Sequence, residues 1–261
     1  MNFVFDLDGT ICFQGRPVSE PILKCLENIN REGHQVIFAS ARPIRDLLPI
    51  LPTRFHSYPM IGGNGSLLYK NGKLLHSVCF PNEQIEDIKR LIHKYSATYL
   101  IDGEWNYAYT GSRNHPILQH VDPYHLAEQV EVQSLEKIIK VLLLSASDFS
   151  SLDQELQTHQ VVIHKHKNEN VLDISPQGIH KWSALRELGI PEQEYIAFGN
   201  DANDITMFQH AKHTVMIGHH ESLAVYANES IPHTEDIEER IIEKVYGLAK
   251  NVKVELGITK S

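Results

Sequence analysis

The chain has 261 residues, enough for one large domain or two ordinary ones with a sizeable core. Its 42% hydrophobic and 22% charged residues are typical of a soluble globular protein. The formal net charge of −9 argues against a general nucleic-acid-binding protein, which needs a cationic face for the phosphate backbone. This balance still permits a local cationic site for a small anion.

The cysteines and the apolar runs indicate the compartment. The chain has three cysteines, an odd number, and no C-x-x-C pair: Cys12, Cys25 and Cys79. This pattern predicts neither a disulfide framework nor a thiolate metal site, and it suits a reducing cytosol. The first residues lack the layout of a signal peptide, and no apolar run approaches the ~20 residues of a membrane span. We therefore expect a cytoplasmic protein with no membrane partner and no nucleic-acid partner. Monomer and dimer are both open.

The N-terminal part alternates predicted strands with predicted helices. The strands are near-continuous apolar runs, and the helices have apolar residues at helical spacing. Ser19 is the expected N-cap of the first helix, and Gly33 is expected to end it. In chain order these segments are a strand at 2–7, a helix at 21–31, a strand at 35–39 and a helix at 43–51.

The same alternation returns near the C-terminus. Apolar strands between helices predict an α/β fold with a Rossmann-like parallel sheet that helices cover on both faces. The C-terminal segments are a helix at 181–188, a strand at 195–198, a helix at 204–210 and a strand at 214–217.

The middle of the chain has a different pattern, typical of antiparallel hairpins. This α+β pattern predicts an inserted domain at 81–176 that interrupts one core domain of residues 1–80 and 177–261. The stretch HKHK, residues 164–167, alternates imidazole with ammonium, which favours a solvated edge strand or loop over a metal site. The predicted elements are helices at 83–95 and 149–158 and strands at 98–101, 105–109, 138–144, 161–164 and 171–174.

Polar residues stand directly after the predicted strands of the parallel sheet or at the start of a later helix. Ligands of open α/β sheets bind outside the carboxyl ends of the strands, so we expect these side chains to form one site. Gly9 allows a sharp turn of the backbone that lets Asp6 and Asp8 both face the site. The residues are Asp6, Asp8 and Thr10, then Ser40, Ala41 and Arg42, then Lys181, then Asn200, Asp201, Asn203 and Asp204.

This set of groups suits phosphoryl transfer to a carboxylate. An aspartate attacks phosphorus and forms an aspartyl-phosphate, while a second carboxylic acid protonates the leaving oxygen and later deprotonates water. Hydroxyl and amide groups bind phosphoryl oxygens, and an ammonium offsets the charge of the transition state. Two carboxylates beside a phosphate dianion need a cation between them. Mg²⁺ is the natural one, because it takes oxygen ligands.

The segment DLDGT, residues 6–10, resembles the nucleophile motif of the haloacid dehalogenase (HAD) superfamily. The other three segments follow in the order and rough spacing of that superfamily's remaining motifs. More narrowly, the chain resembles the Cof-type subfamily, which has a type IIB α/β cap between the second and third motifs. The stretches IGGNGSLLYKNGKLL (residues 61–75) and VLDISPQGIHKWSAL (residues 171–185) resemble that subfamily's segments before and after the cap.

The resemblance implies a Mg²⁺-dependent phosphatase of small phosphorylated metabolites, such as sugar phosphates, nucleotides or cofactor phosphates. It also implies roles for the residues of the site. The nucleophile is Asp6, the general acid/base is Asp8 and the charge-stabilising lysine is Lys181. The phosphate-binding residues are Ser40, Ala41 and Asn203, and the metal-binding set is drawn from Asp6, the Asp8 carbonyl, Asn200, Asp201 and Asp204.

Two residues depart from the family's pattern. Ala41 replaces a common glycine, which is a small change. Asn200 stands where the family has a metal-binding aspartate. An amide oxygen still ligates Mg²⁺ but brings no formal charge; alternatively, the adjacent Asp201 reaches the metal directly or through a water. Both residues are candidates.

Several residues have an alternative structural role. Ser40 is also a plausible helix N-cap, and Arg42 suits a substrate contact and a structural ion pair equally. His180 is expected on the surface. In the inserted domain, Trp105, Tyr107, Tyr109 and Arg113 are candidates for leaving-group recognition, although aromatic strand residues more often belong to the core.

Two other functions remain compatible with the sequence. A phosphomutase of the phosphomannomutase type shares the cap type and returns the phosphoryl group to substrate rather than to water. A phospho-ligand-binding or regulatory protein with little turnover is the other alternative, and the asparagine at position 200 makes it more plausible.

Overall fold

The computed structural model describes residues 1–165 and 171–255. The predicted HKHK stretch lies partly outside these residues, at positions 166 and 167. The strands are β1 (Asn2–Phe5), β2 (Gln35–Ala39), β3 (Met60–Gly62), β4 (Leu67–Lys70), β5 (Lys73–Ser77), β6 (Thr98–Gly103), β7 (Tyr107–Tyr109), β8 (Ile138–Ser145), β9 (Val161–Lys165), β10 (Leu172–Pro176), β11 (Tyr195–Gly199), β12 (His213–Ile217) and β13 (Glu229–Ile231). The helices are α1 (Glu20–Arg31), α2 (Ile44–Leu47), α3 (Asn82–Lys94), α4 (Phe149–Leu156), α5 (Lys181–Glu187), α6 (Ile205–Gln209), α7 (Glu221–Ala224) and α8 (Ile237–Glu255).

The larger sheet has eight strands in the order β13-β12-β11-β1-β2-β3-β4-β5. The strands from β13 to β3 are parallel, and β4 and β5 extend the edge with antiparallel pairings. In register, Phe5 at the end of β1 lies beside Phe38 of β2 and Phe198 of β11. The segments that follow these three strands therefore start at the same edge of the sheet.

Apolar side chains on both faces of the larger sheet are buried, as a parallel sheet requires. On one face α1 and α8 contribute Ile22, Ile241 and Val245 to a core that includes the stacked rings of Phe5 and Phe198. On the other face α5 and α6 pack over the sheet. The prediction of an α/β fold with a Rossmann-like parallel sheet is confirmed.

The smaller sheet has five antiparallel strands in the order β7-β6-β8-β10-β9. Helices α3 and α4 bury one of its faces. Its strands all lie between Thr98 and Pro176, inside the segment 81–176 that the sequence predicts as an inserted domain. The expected α+β cap is thus present as a second sheet, and the exact bounds of the domain stay a prediction.

Some predicted elements differ from the structure. The helix expected at 43–51 is only α2 followed by a 3₁₀ turn at Leu48–Ile50, because Pro49 has no N–H for a continuing helix. Pro43 stands at the N-cap position of α2, so Ser40 is not a helix cap. Ser19 does stand at the N-cap position of α1, but its hydroxyl donates to Glu238 of α8 instead of capping the helix.

The sequence patterns did not predict β3, β4, β5, β13, α7 or α8. Within residues 1–165 and 171–255, no helix combines the length and the apolar character that crossing a membrane requires.

Candidate active site

The predicted site residues converge at the carboxyl edge of the larger sheet. Asp6 directly follows β1, Ser40 follows β2 and Asn200 follows β11. The Asp6 N–H donates to the carbonyl of Phe198, so the sheet pairing of β1 and β11 continues into the site. Lys181 is the first residue of α5 and reaches the same point.

A buried lysine joins two buried carboxylates at the centre of the site. The Nζ of Lys181 donates to Oδ1 of Asp6 at 2.6 Å and to Oδ1 of Asp204 at 2.6 Å. The second oxygen of Asp6, Oδ2, accepts from the hydroxyl of Thr10 at 2.8 Å. All four side chains are buried. Since burying a charge is costly unless it is paired, this ammonium and these carboxylates stabilise one another.

The charges of this cluster shift one another's pKa values. Burial raises the pKa of Asp6 to about 7 even though Lys181 lowers it, and the neighbouring carboxylate of Asp204 adds to the rise. Burial alone would lower the pKa of Lys181, but Asp204 and Asp6 outweigh burial and raise it. Lys181 therefore stays an ammonium. Burial destabilises the negative charge of Asp6, and a further cation beside Asp6 would stabilise that charge.

Asp8 faces the site from the turn that follows Asp6. Gly9 adopts a φ of +78°, a conformation that favours glycine, and so turns the chain directly after Asp8. Both oxygens of Asp8 accept from the guanidinium of Arg42, at 2.7 Å from Nε and 2.5 Å from Nη2. Of the two roles open for Arg42, the structure shows the ion pair.

Asn200 packs directly against this turn. A Cβ at position 9 would lie only 2.2 Å from the Asn200 Nδ2, so a larger residue here would displace the Asn200 amide. The Oδ1 of Asn200 lies 3.2 Å from the Thr10 hydroxyl, which itself donates to Asp6. The amide oxygen of Asn200 and the carboxylate of Asp6 therefore share one hydroxyl neighbour.

Asp201 makes other contacts. Its Oδ1 accepts from the Ala202 N–H at 2.7 Å and lies 3.3 Å from Nε2 of His220, the residue before α7. Asp204 fixes the backbone of this loop, because its Oδ2 accepts from the N–H groups of Asn200 at 2.8 Å and Asp201 at 3.2 Å. The loop thus presents Asn200 to Asp6 and turns Asp201 toward His220.

Ser40, Ala41 and Asn203 lie at the same edge. The buried Ser40 accepts from the Arg42 N–H through its Oγ at 3.1 Å, which leaves its hydroxyl proton as a donor. The carbonyl of Ala41 accepts from Lys140 at 2.8 Å, and Nδ2 of Asn203 donates to Oδ1 of Asn64 at 3.2 Å.

His180 corrects an expectation. It is half-buried rather than on the surface, and its Nδ1 accepts from the Ser183 N–H at 3.0 Å while the Ser183 hydroxyl oxygen accepts from the His180 N–H at 3.1 Å. This reciprocal cap fixes the first turn of α5 and with it Lys181. Burial lowers the pKa of His180, in keeping with a neutral ring that accepts through Nδ1.

The aromatic candidates of the smaller sheet have structural contacts. Trp105 donates through Nε1 to the Leu126 carbonyl at 2.7 Å, and Tyr109 donates to the Ser112 carbonyl at 2.6 Å. The ring of Tyr107 lies 4.8 Å from the Arg45 guanidinium carbon. None of these three contacts involves the predicted site residues at 6–10, 40–42 or 200–204.

Five buried charged residues near the junction of the two sheets were missed by the sequence patterns. Arg45 of α2 donates to Asp46 and to Asp102 of β6, and Lys140 of β8 lies 2.9 Å from Asp173 of β10. A lysine inside the apolar run IIKVLLLS and an aspartate inside VLDIS were the available signals, because strand charges are buried only when paired.

The oxygens of the site fit a hard divalent cation. Among residues 1–165 and 171–255 no three His, Cys, Asp or Glu side chains converge as a metal site, so a cation here needs amide or main-chain oxygens as well. Asp6 and Asn200 supply a carboxylate and an amide oxygen about the Thr10 hydroxyl, and the Asp8 carbonyl belongs to the same turn. Carboxylate, amide and carbonyl oxygens are the donors that Mg²⁺ accepts.

Comparison with known proteins agrees with this geometry. A family model described as haloacid dehalogenase-like hydrolase matches residues 3–243. The HMP-PP phosphatase of Serratia proteamaculans (strain 568) is 26% identical over 230 residues, which cover 82% of each chain. The 5-amino-6-(5-phospho-D-ribitylamino)uracil phosphatase of Escherichia coli (strain K12) is 24% identical over 223 residues, 79% of this chain and 80% of that protein.

The fold is shared with solved structures of the same superfamily. The HAD subclass IIB sugar phosphatase BT4131 superposes with a TM-score of 0.72 at 18% sequence identity, covering 99% of both chains. The match of the family model extends from β1 into α8 and spans both sheets. The chain therefore belongs to the haloacid dehalogenase-like hydrolases, as a HAD-like phosphatase of the Cof type.

Proposed function

We propose that this protein is a Mg²⁺-dependent phosphatase of small phosphorylated metabolites, with Asp6 as its nucleophile. The observation that carries the proposal is the buried Asp6 carboxylate at the carboxyl end of β1, held by Lys181 at 2.6 Å and by Thr10 at 2.8 Å. The relatives are named as an HMP-PP phosphatase and a 5-amino-6-(5-phospho-D-ribitylamino)uracil phosphatase, which supports a small organic phosphate as substrate. Sugar phosphates, nucleotides and cofactor phosphates are the classes to test.

The residues of the site divide the chemistry between them. Asp6 attacks the phosphorus and becomes an aspartyl-phosphate, and Lys181 offsets the charge on the equatorial oxygens. The Ser40 hydroxyl and the Asn203 amide donate to those oxygens, with Ala41 completing the loop. Asp8 donates a proton to the leaving oxygen and then takes one from the attacking water. Both Asp8 oxygens are bound to Arg42 in this structure, so one of these hydrogen bonds has to open first.

The metal site would use Asp6, the main-chain carbonyl of Asp8 and the amide oxygen of Asn200. A bound Mg²⁺ would supply positive charge that offsets the repulsion between the anionic nucleophile and the phosphoryl group. We assign Asp204 a supporting role, because its carboxylate already accepts three hydrogen bonds, from Lys181 and from two loop N–H groups, whereas Asp6 accepts two. The contact of Asp201 with His220 makes Asn200 the preferred ligand of the two candidates.

Phosphate release with and without Mg²⁺ tests the proposal. We expect the purified protein to release phosphate from a panel of phosphorylated metabolites, and we expect EDTA to stop the reaction. Asp6→Asn keeps the size of the side chain but removes the attacking carboxylate, so turnover should fall by at least 10³-fold, on the order seen when a nucleophile is removed. Circular dichroism of the variant checks that it is folded.

Other outcomes point to the alternatives. Tight binding of a phosphorylated ligand without turnover by the unaltered protein indicates a ligand-binding protein. Transfer of the phosphoryl group to a second position of the substrate, detected by ³¹P NMR, indicates a phosphomutase. Full activity of Asp6→Asn rules out the nucleophile assignment.

A further inference from the structure

A chain of buried hydrogen bonds leads from the smaller sheet to the phosphate-binding loops. Lys140 of β8 lies 2.9 Å from the Oδ2 of Asp173 in β10, and that Oδ2 accepts from Nδ2 of Asn64 at 3.2 Å. Oδ1 of Asn64 in turn accepts from Nδ2 of Asn203 at 3.2 Å. Lys140, Asp173 and Asn64 are all buried. We call Lys140, Asp173 and Asn64 the relay.

The direction of the hydrogen bonds in the relay is fixed by its charged end. A carboxylate only accepts hydrogen bonds, so Asp173 requires Asn64 to turn its NH₂ group toward β10. The carbonyl oxygen of Asn64 then faces Asn203, and it requires a donor from that side chain. The NH₂ group of Asn203 is therefore the end of the amide that faces Asn64.

The orientation of Asn203 matters for an anion. An NH₂ group that gives one hydrogen to Asn64 has a second hydrogen for a phosphoryl oxygen. A flipped amide would instead present its own oxygen, and two acceptors with no proton between them repel. The backbone of Asn64 supports the arrangement, since its φ of +59° sets the side chain in a left-handed turn that asparagine tolerates.

Lys140 also contacts the other phosphate-binding loop. Its Nζ donates to the Ala41 carbonyl at 2.8 Å, next to Ser40. One lysine of the smaller sheet therefore touches the loop after β2 directly and the loop after β11 through two side chains. These contacts exist only while the smaller sheet lies against the larger one.

We propose that Lys140, Asp173 and Asn64 are positioning residues that orient the donors of the phosphate-binding loops. This role rests on the proposed function, in which Asn203 binds a phosphoryl oxygen. Contact of the smaller sheet with the larger one then completes the anion site. When that contact is broken, the Asn203 amide has no fixed direction.

Two substitutions separate polarity from packing. Asp173→Asn keeps the shape of the side chain, but its amide can donate as well as accept hydrogen bonds. Residue 173 then no longer dictates which end of the Asn64 amide faces it. Asn64→Gly removes the amide yet keeps a residue suited to the positive φ. In each variant we expect the inhibition constant for inorganic phosphate and KM for p-nitrophenyl phosphate to rise on the order of tenfold, the worth of one charge-assisted hydrogen bond, while kcat changes less.

Asp102→Asn is the matched control. Asp102 is buried in the neighbouring strand β6, where it stands opposite Lys140 in the strand pairing, but its carboxylate accepts from Arg45 rather than from a side chain of the relay. Thermal unfolding measures the stability lost in all three variants. We expect the control to keep the phosphate inhibition constant within twofold at a comparable loss of stability.

Three results overturn the inference. The first is a phosphate affinity that stays within twofold of the unaltered protein in both Asp173→Asn and Asn64→Gly. The second is an equal loss of phosphate affinity in the control Asp102→Asn. The third is a decrease of kcat in the relay variants with no change in KM or in the phosphate inhibition constant. Failure of the proposed function is distinct, because there the unaltered protein itself hydrolyses no phosphate ester. Phosphate binding by calorimetry can still be compared among the variants in that event.

Discussion

Asn200 gives the site one negative charge fewer than the aspartate of the family pattern. Its amide oxygen lies beside the Thr10 hydroxyl that also binds Asp6, while Asp201 is turned toward His220. The charge of the ligands is a main determinant of affinity for a divalent cation. We expect Asn200→Asp to bind Mg²⁺ roughly tenfold more tightly, measured by titration calorimetry and by the rise of Tm with Mg²⁺.

The neighbouring position supplies the control. Asp201→Asn retains an acceptor for the Ala202 N–H and should leave Mg²⁺ affinity nearly unchanged. A loss of the Mg²⁺ response in Asp201→Asn, together with a harmless Asn200→Ala, would show that Asp201 is the ligand.

At the level of residues, the ends of apolar strands predicted the members of the site, because topology alone brings strand ends together. Asp6, Ser40 and Asn200 were found in this way, whereas Lys181 was found at the start of a predicted helix. The pairing of Arg42 with Asp8 and the capping role of His180 depend on side-chain directions within loops, which hydrophobic spacing does not encode. The sequence therefore left the function of Arg42 open and placed His180 wrongly.

The C-terminal helix α8 covers one face of the larger sheet and packs against α1. Its buried residues Ile241, Val245 and Ala249 recur every four residues, and Asn28 of α1 donates to Tyr246 at 2.9 Å. Truncating such a residue removes transfer energy and leaves a cavity. We expect Ile241→Ala to lower the free energy of unfolding by about 2–5 kcal/mol, measured by urea denaturation.

Val254→Ala is the control in the same helix. Val254 is 58% exposed, so the expected change is below about 0.5 kcal/mol. Equal losses in both variants would contradict the packing of α8 on the sheet.

Two of the elements that the sequence analysis missed, α8 and β5, differ in the strength of their sequence signals. The four-residue spacing of α8 was a usable signal for an amphipathic helix. In contrast, β5 is an edge strand whose residues are mostly exposed, and it has no alternation of buried and exposed positions. Such a strand is specified by pairing with β4, which a single segment does not encode.

The two sheets are joined by a buried ionic contact that belongs to the molecule as a whole. Arg45 of α2 is fully buried and donates to Asp46, to Asp102 and to the Trp105 carbonyl. Removing one member leaves the carboxylates buried without their cation. We expect Arg45→Met to lower the free energy of unfolding by about 3–5 kcal/mol. Scanning calorimetry should then show separate melting of the two sheets.

Arg54 provides a matched arginine at the surface. It pairs with Glu20 and Glu27, but solvent screens these pairs. Arg54→Met should leave the unfolding transition single and nearly unshifted. A single sharp transition in Arg45→Met, with unaltered Tm, would show that the contact between the sheets does not depend on this arginine.

The position of β1 in the larger sheet has a consequence for biosynthesis. β1 lies between β2, which follows it closely along the chain, and β11, which begins at Tyr195. A ribosome therefore releases β1 long before one of its two partners exists, and contacts between distant segments form slowly. Until then β1 is an open edge that can pair with the wrong strand, and Asp6 has no lysine beside it. Nascent chains that end before Lys181 should thus need protection from aggregation. The central ion pairs form only after Lys181 and Asp204 have been synthesised.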